Sequence, residues 1–396
     1  MYNLQCRVGS FFDLLEKHVV MNYPSRPTWA EIDLSALHHN LQQAINLCSA
    51  NQRILAVVKA DAYGHGAVPV TQALQSFGIS DFAVATLEEA LELRHAEMTD
   101  KLLVLGSCFP GQEGAFLQHN LMPTLLDKDT ALRLNAAAVK QQRQLKIHLK
   151  VDSGMGRVGF LPGELREFLP QLRQFDGLVI EGFMSHLACA DELDSTVTTD
   201  QQAQFLTMLQ MVREAGVEPR EIHLNNSAGL SGWECPECTL SRPGIMLYGG
   251  LPGSDFASKL DLQPVMHLQS RIAQLRQLPA GSGISYGHCY HAPADMRVAV
   301  LPIGYADGYN RLLSNCGQGI LRGQKIPVIG RVCMDWIMLD VSAVTDVAVG
   351  DCVTLLGSAE GVSILGDDWA EQLNTISYEV FCRIGSRVPR RYLPKK

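Results

Sequence analysis

Lys59 is the residue of this sequence with the clearest chemical potential. It sits in AVVKADAYGHG, residues 56–66, directly after an apolar run with the make-up of a buried strand. Burial disfavours the charged ammonium, lowers its pKa and exposes a neutral amine. A neutral amine can form a Schiff base with a carbonyl substrate or with pyridoxal phosphate (PLP). A lysine whose head group snorkels to solvent explains the same run, and from Lys59 alone the two readings are equal. Other strand-like runs also end in polar residues. These are Lys150 to Arg157 in KVDSGMGRVGF, His186 in MSHLACAD, Asn226-Ser227 in LNNSAG, and Arg242-Pro-Gly244-Ile245 in SRPGIMLYGG. Ser227 and the backbone amides of RPGIM are anion donors, and glycine lets the chain approach a phosphate closely. Each signal is weak alone. Together with Lys59 they fit a phosphorylated aldehyde cofactor.

The elements that must position these residues are legible as a repeat. From Trp29 to about Gly250, β-rich runs alternate with helix-like stretches such as VTQALQSFG, LEEALELRHAEM and QQAQFLTMLQMVREAG. The eight strand-like runs begin at ILAVVKADAYG and end at SRPGIMLYGG. Eight strand–helix units predict a closed parallel (β/α)8 barrel of the TIM type, whose reactive groups gather at the carboxyl ends of the strands. Periodicity alone leaves a doubly wound open sheet possible. After about Leu260 the runs VMHLQSRIAQLRQL, RVAVLPIGYADG, KIPVIGRVCMDWIMLDVS and GDCVTLLG predict a mostly β second domain. The expected division is an N-terminal extension over 1–25, poorly ordered and without assigned function, a PLP-binding barrel over 26–260 and a β domain over 261–396.

Composition agrees with a large folded core. The 396 residues are 46% hydrophobic and 19% charged, with a net charge of −8. A mildly acidic chain lacks the electrostatic footprint of a general nucleic-acid binder. No apolar run approaches the ~18 residues of a membrane span, and the amino terminus does not read as a signal peptide. A cytoplasmic location follows, and the eleven cysteines read as reduced thiols. Cys235-Pro-Glu-Cys238 has ligand-like spacing but no second pair to complete a zinc site, so two loop cysteines is the simpler reading.

The chain resembles alanine racemase, a PLP-dependent isomerase built from a barrel and a β domain. The likeness runs from RPTWAEIDLSALHHNL at Arg26 to SRVPRRY near the end, and AVVKADAYGHG resembles the family's cofactor-lysine block. By that resemblance Lys59 holds PLP as a Schiff base and Tyr63 reaches its phosphate. Arg157 bonds the phenolic oxygen of PLP and helps hold substrate carboxylate, and Lys150 is either carbamylated or a plain ion-pair partner. His186 links a catalytic tyrosine to Arg242, which faces the pyridine nitrogen. Asn226, Ser227, Gly244, Ile245 and Tyr378 complete the cofactor site. In the β domain, ISYGHCY implies Tyr286 as the second catalytic base. PIGYADGYNR and GRVCMDWIMLD imply Tyr305, Met334 and Asp335 at the substrate, and Asp191, Arg311 and Arg331 match a polar entry corridor. No metal is implied.

The mechanism so implied is a two-base proton transfer on the PLP Schiff base of alanine, with Lys59 on one face and Tyr286 on the other. It requires a homodimer whose sites are shared between subunits, and it supplies D-alanine for cell-wall peptidoglycan. An arginine at the pyridine nitrogen keeps the ring neutral and a weaker electron sink. The competing readings are a non-catalytic PLP carrier, a racemase of serine or lysine, a decarboxylase, which would need an acid in place of Arg242, and a metal hydrolase using His148, His186 and His223. Asp61 stands where many relatives carry Asn, and His288-Cys289 follows Gly287 where an Arg-Thr-like pair is common.

Overall fold

The computed structural model describes residues 26–394; the expected extension over 1–25 lies outside them. The eight anticipated barrel runs all form strands. The first is split into Arg53–Ile54 and Ala56–Val57, followed by Asp81–Val84, Lys101–Val104, Met122–Leu125, Leu145–Lys150, Leu178–Met184, Glu221–His223 and Leu240–Ser241. Neighbours pair in parallel and in sequence order from Ala56–Val57 to Glu221–His223.

Hydrogen bonds close the circle, which excludes the open sheet. Thr239 N donates to Ile222 O at 2.8 Å and Arg242 N to Asn225 O at 3.0 Å on one side of the last strand. On its other side Arg53 N donates to Thr239 O and Leu55 N to Ser241 O. The strands are buried on both faces because helices cover them outside and side chains fill them inside. Helix Leu87–His95 shows how the sequence sets such a cover. Thr86 caps it by accepting the Glu89 amide at 3.3 Å, and the Glu89 carboxylate reaches back to the Thr86 and Ala85 amides.

The second domain is mostly β, as expected, with two short helices, Gly366–Leu373 and Ser377–Cys382, near the end. One sheet runs in the order Gln324–Pro327, Gln318–Leu321, Cys352–Ala359, Met266–Arg271, Thr28–Asp33, Arg390–Leu393. The strand Thr28–Asp33, which sequence order assigns to the barrel, therefore lies in the C-terminal sheet. Its apolar residues Trp29, Ala30 and Ile32 are buried there, and its ladder bonds reach residues too distant in the chain for a local pattern to reveal. A three-stranded sheet, Gln274–Leu278, Met296–Leu301 and Ile337–Asp340, packs beside a hairpin of Gly283–Ile284 and Tyr290–His291.

Cys235 and Cys238 are joined by a disulfide, against the expectation of two separate thiols. The intervening turn, closed by Cys238 N donating to Cys235 O, sets their Cα atoms 5.4 Å apart, inside the range a disulfide bridges. The other cysteines among the described residues are free. No helix among the described residues is long and apolar enough to cross a membrane.

Candidate active site

The carboxyl ends of the barrel strands enclose a cavity of about 400 Å3. Lys59 and Tyr63 reach it from the first strand, Lys150 and Arg157 from the fifth, and His186 from the sixth. Asn226, Ser227, Arg242, Gly244 and Ile245 reach it from the seventh and eighth, and Tyr378 closes it from helix Ser377–Cys382. The barrel residues that the resemblance assigns to the cofactor, with Lys150, thus meet in one place, whereas Asp191, His148 and His223 do not line the cavity.

The Lys59 segment has an unusual backbone. Ala60, Asp61, Ala62 and Tyr63 form one turn of left-handed helix, with φ of 53°, 54°, 51° and 55°. Left-handed geometry costs L-residues roughly 1–2 kcal/mol each, so the surroundings must impose it. Glu89 Oε1 accepts the Ala60 amide at 2.7 Å, Asp61 Oδ1 accepts the Ala67 amide at 2.7 Å, and Arg390 donates to Gly64 O at 2.9 and 3.0 Å. Tyr248 Oη donates to Val57 O at 2.9 Å and so anchors the strand end before Lys59. Asp61 therefore does structural work that the side-chain oxygen of an Asn could also do, by accepting the Ala67 amide. Burial lowers the Lys59 pKa, and the nearby Arg157 cation lowers it further.

Ser227, Asn226 and Gly244 form another polar part of the cavity wall. Ser227 Oγ accepts the Gly244 amide at 2.9 Å, and Asn226 Oδ1 accepts the Gly229 amide at 2.9 Å, capping the turn that follows. A Cβ on Gly244 would collide with the Tyr63 hydroxyl, so glycine is what lets that hydroxyl approach this wall. The Tyr63 ring packs 4.9 Å from Tyr248 and 6.0 Å from Tyr378, and burial raises the pKa of its hydroxyl, keeping it a neutral donor.

Arg242 is buried and almost fully committed. Nη1 donates to His223 Nδ1 at 2.8 Å and His223 O at 2.9 Å; Nη2 donates to Ser185 O at 2.7 Å and Leu224 O at 3.0 Å, with His186 Nδ1 at 3.3 Å. Among the described residues no acceptor engages Nε–H. Burial lowers the guanidinium pKa to about 9, still charged at neutral pH. Burial, then Arg242, holds His186 well below the usual histidine range and therefore neutral. Lys150 is pushed down to about 7, by burial first and then by Arg242 and Arg157. Asp152 holds the Arg157 loop: Oδ1 accepts the amides of Gly154, Met155 and Gly156, and Oδ2 that of Arg157.

The β-domain residues stand apart. Tyr286 is 71% exposed and lines a separate groove with Trp336 and His288. His288 packs over Gly283, whose missing side chain makes the room. Tyr305 and Met334 are exposed on neighbouring loops tied by Tyr305 N to Cys333 O and Ala306 N to Met334 O; Asp335 pairs with Arg387 at 2.7 Å. Within one protomer these four do not join the Lys59 cavity.

Sequence reasoning missed Tyr248, Glu89 and Asp152, which act on the backbone around the site. Only the helix-start pattern Thr86-x-x-Glu89 offered a signal for one of them. His148 and His223, weighed as metal ligands, are bonded to each other at 2.8 Å, and no three-ligand cluster occurs among the described residues.

Comparisons with known proteins agree with this layout. Residues 32–252 match the family model described as "Alanine racemase, N-terminal domain", and residues 265–392 match "Alanine racemase, C-terminal domain". An alanine racemase of Geobacter sulfurreducens is 45% identical over 373 residues, covering 93% of this chain and 98% of its own. One from Halothermothrix orenii is 44% identical over 371 residues, covering 94% and 98%. The solved alanine racemase of Clostridium difficile 630 superposes with a TM-score of 0.87 at 36% identity, covering 94% of this chain and 97% of its own.

Proposed function

The chain belongs to the alanine racemase family, and we propose that it interconverts L- and D-alanine with PLP seated in the barrel cavity. The observation that carries this reading is the single cavity uniting Lys59, the Ser227–Gly244 cradle and Arg242, whose Nε–H has no acceptor among the described residues. That donor set fits PLP at three points: an amine for the aldehyde, a cradle for the phosphate and a fixed cation for the ring nitrogen. Tyr63, Asn226, Ser227, Gly244, Ile245 and Tyr378 would hold the phosphate end, and Arg157 the phenolic oxygen.

PLP, when bound, supplies the Schiff-base linkage that acidifies the α-hydrogen of an amino acid. The chain's residues do the rest. Lys59, its amine favoured by burial and by Arg157, takes or returns a proton on one face of the α-carbon. Arg157 orients the substrate carboxylate, and Lys150, close to neutral at physiological pH, is a nucleophilic amine that carbon dioxide can carbamylate; as an anion it would pair with Arg157. Arg242 presents a charged donor and no acidic group to the ring nitrogen, which limits electron withdrawal and favours prompt reprotonation over side reactions such as transamination or decarboxylation. Racemisation needs a proton donor on the opposite face. The partner subunit's Tyr286 fills that role in a cytoplasmic homodimer, with Met334, Tyr305 and Asp335 lining the same shared entrance; the exposure of Tyr286 and Met334 in one protomer supports this.

The test is L-alanine with PLP-loaded protein in deuterated water, following D-alanine and deuterium at the α-carbon. D-alanine carrying label, lost in Lys59→Ala, is the expected result. Bound PLP with no exchange would overturn the assignment and favour a cofactor carrier. Exchange with serine but not alanine would redirect the substrate.

A further inference from the structure

The barrel interior holds a polar chain that runs from the cavity toward the opposite end of the strands. Arg242 Nη1 meets His223 Nδ1 at 2.8 Å, and His223 Nε2 meets His148 Nδ1 at 2.8 Å. His148 Nε2 lies 3.3 Å from Glu221 Oε2, within ion-pair reach but not in line for a hydrogen bond, and it has no hydrogen-bond partner among the described residues. Glu221 begins its strand at the amino-terminal end of the barrel, level with Asp81 and Lys101. Its Oε1 accepts Arg53 at 3.0 Å and Lys101, and both cations also face Asp81. His148, His223, Glu221 and Arg242 are all buried. The fold makes room for the chain. The parallel ladder slips one residue between Ile147 and His148, and a Cβ on Gly182 would overlap the His148 ring.

Only one proton arrangement leaves no donor facing a donor along this chain. A guanidinium can only donate, so His223 Nδ1 must accept and its Nε2 must carry hydrogen. His148 Nδ1 then accepts, and its Nε2 carries the hydrogen beside a carboxylate that can only accept. The two ends demand the same tautomers, and burial with the Arg242 charge keeps His223 neutral. Glu221 stays ionised: burial alone would raise its pKa, but His148 and Lys101 pull it down to about 2.

The geometry points to Glu221 as a positioning residue that fixes the tautomers of His148 and His223 from the far end of the barrel, and through them holds Arg242 with its Nε–H free for the cofactor. The last link rests on the reading of Arg242 as the pyridine partner; the tautomer assignment does not. Glu221→Gln is the sharp probe. Arg53 and Lys101 would attract the new amide's oxygen and turn its NH2 toward His148 Nε2. That reverses both imidazoles and aims an N–H of His223 at an N–H of Arg242. Glu221→Leu removes the carboxylate without imposing the reversed order, because Arg242 still dictates from above.

The experiment is magic-angle-spinning 15N spectroscopy of histidine-labelled full-length protein, with and without PLP, alongside PLP retention by equilibrium dialysis. In the unaltered protein both histidines should carry hydrogen on Nε2 and none on Nδ1. In Glu221→Gln the His223 hydrogen should move to Nδ1 and PLP affinity should fall by about tenfold, the scale of one spoiled charged hydrogen bond. In Glu221→Leu the tautomers should persist and the loss should stay within about threefold. Hydrogen on Nδ1 of either ring in the unaltered protein would overturn the proposal even if no variant folds. Unchanged tautomers in Glu221→Gln, or equal losses in the two variants, would overturn it as well. Failure of the unaltered protein to bind PLP, with the tautomers as stated, would instead refute the proposed function and leave the proton arrangement standing.

Discussion

Asp152 and Arg157 lie five residues apart, and the carboxylate of the first accepts the backbone amide of the second at 2.8 Å. Three more loop amides converge on the other carboxylate oxygen. Burial would raise the Asp152 pKa, yet these amides hold it below the usual carboxylate value. Asp152→Asn retains the shape but offers a single acceptor oxygen, so it can serve the glycine-rich turn or the Arg157 amide and not both. Denaturant unfolding should show a loss of about 1–3 kcal/mol, the scale of one or two charge-assisted bonds. KM for alanine should rise more than kcat falls. An unchanged KM would mean that the loop does not aim Arg157 at substrate.

Gly244 and Tyr63 should behave as a coupled pair. Gly244→Ala sets a methyl group against the Tyr63 hydroxyl and should weaken PLP binding. Tyr63→Phe removes the opposing oxygen and should relieve part of that loss in the double variant. A double-mutant cycle on PLP affinity should give a coupling of about 0.5–3 kcal/mol; strict additivity would show that the clash is absorbed elsewhere.

Lys150 makes the stability of the PLP-free protein depend on pH. Its folded pKa is about 7, against about 10.4 for a free lysine. Below pH 7 both states hold the proton and the full burial penalty stands. Between the two values the unfolded chain binds more protons, so stability rises with pH, by at most about 1.4 kcal/mol per unit from this group. Urea midpoints at pH 7 and 9 in carbon-dioxide-free buffer should show the rise, and Lys150→Met should flatten it. Equal slopes in the two proteins would contradict the depressed value.

Shared sites predict complementation. Lys59→Ala and Tyr286→Phe should each be inactive alone. Dissociated and reassociated in equal amounts, they should form mixed dimers having one intact site, which gives about a quarter of full activity for random pairing in a twofold dimer. No recovery, with mixed dimers confirmed by mass, would place both residues of each site on the same chain.

Much of this was legible because the signals are local. An apolar run followed by Lys59, or by Arg242-Pro-Gly, marks a strand end wherever the strand lies, and parallel order places all such ends on one rim. The barrel strands and the strand-end residues Lys59, His186, Asn226, Ser227 and Arg242 followed from that, whereas Tyr63 and Tyr378 came only with the family resemblance. What escaped depends on contacts between distant segments. Tyr248 reaches back 191 residues to Val57, and Glu221 reaches 120 residues to Lys101. The proton order of His148 and His223 is a property of four side chains at once, and no single motif encodes it. The Cys235–Cys238 bridge was discounted because pairing was judged by compartment and not by the turn between the two residues.

The placement of Thr28–Asp33 in the C-terminal sheet has a consequence for how the molecule is made. A chain leaves the ribosome amino end first, yet this strand's antiparallel neighbour arrives 242 residues later, at Ser270 opposite Thr28, and its parallel neighbour only with Arg390–Leu393. The barrel can close while the nascent chain is still growing, whereas the sheet that contains Thr28–Asp33 is completed only once Arg390–Leu393 has emerged. Until then the strand carries unpaired edges and an apolar face seeking partners. A nonsense codon just before Arg390 would therefore strand Thr28–Asp33 without its parallel neighbour.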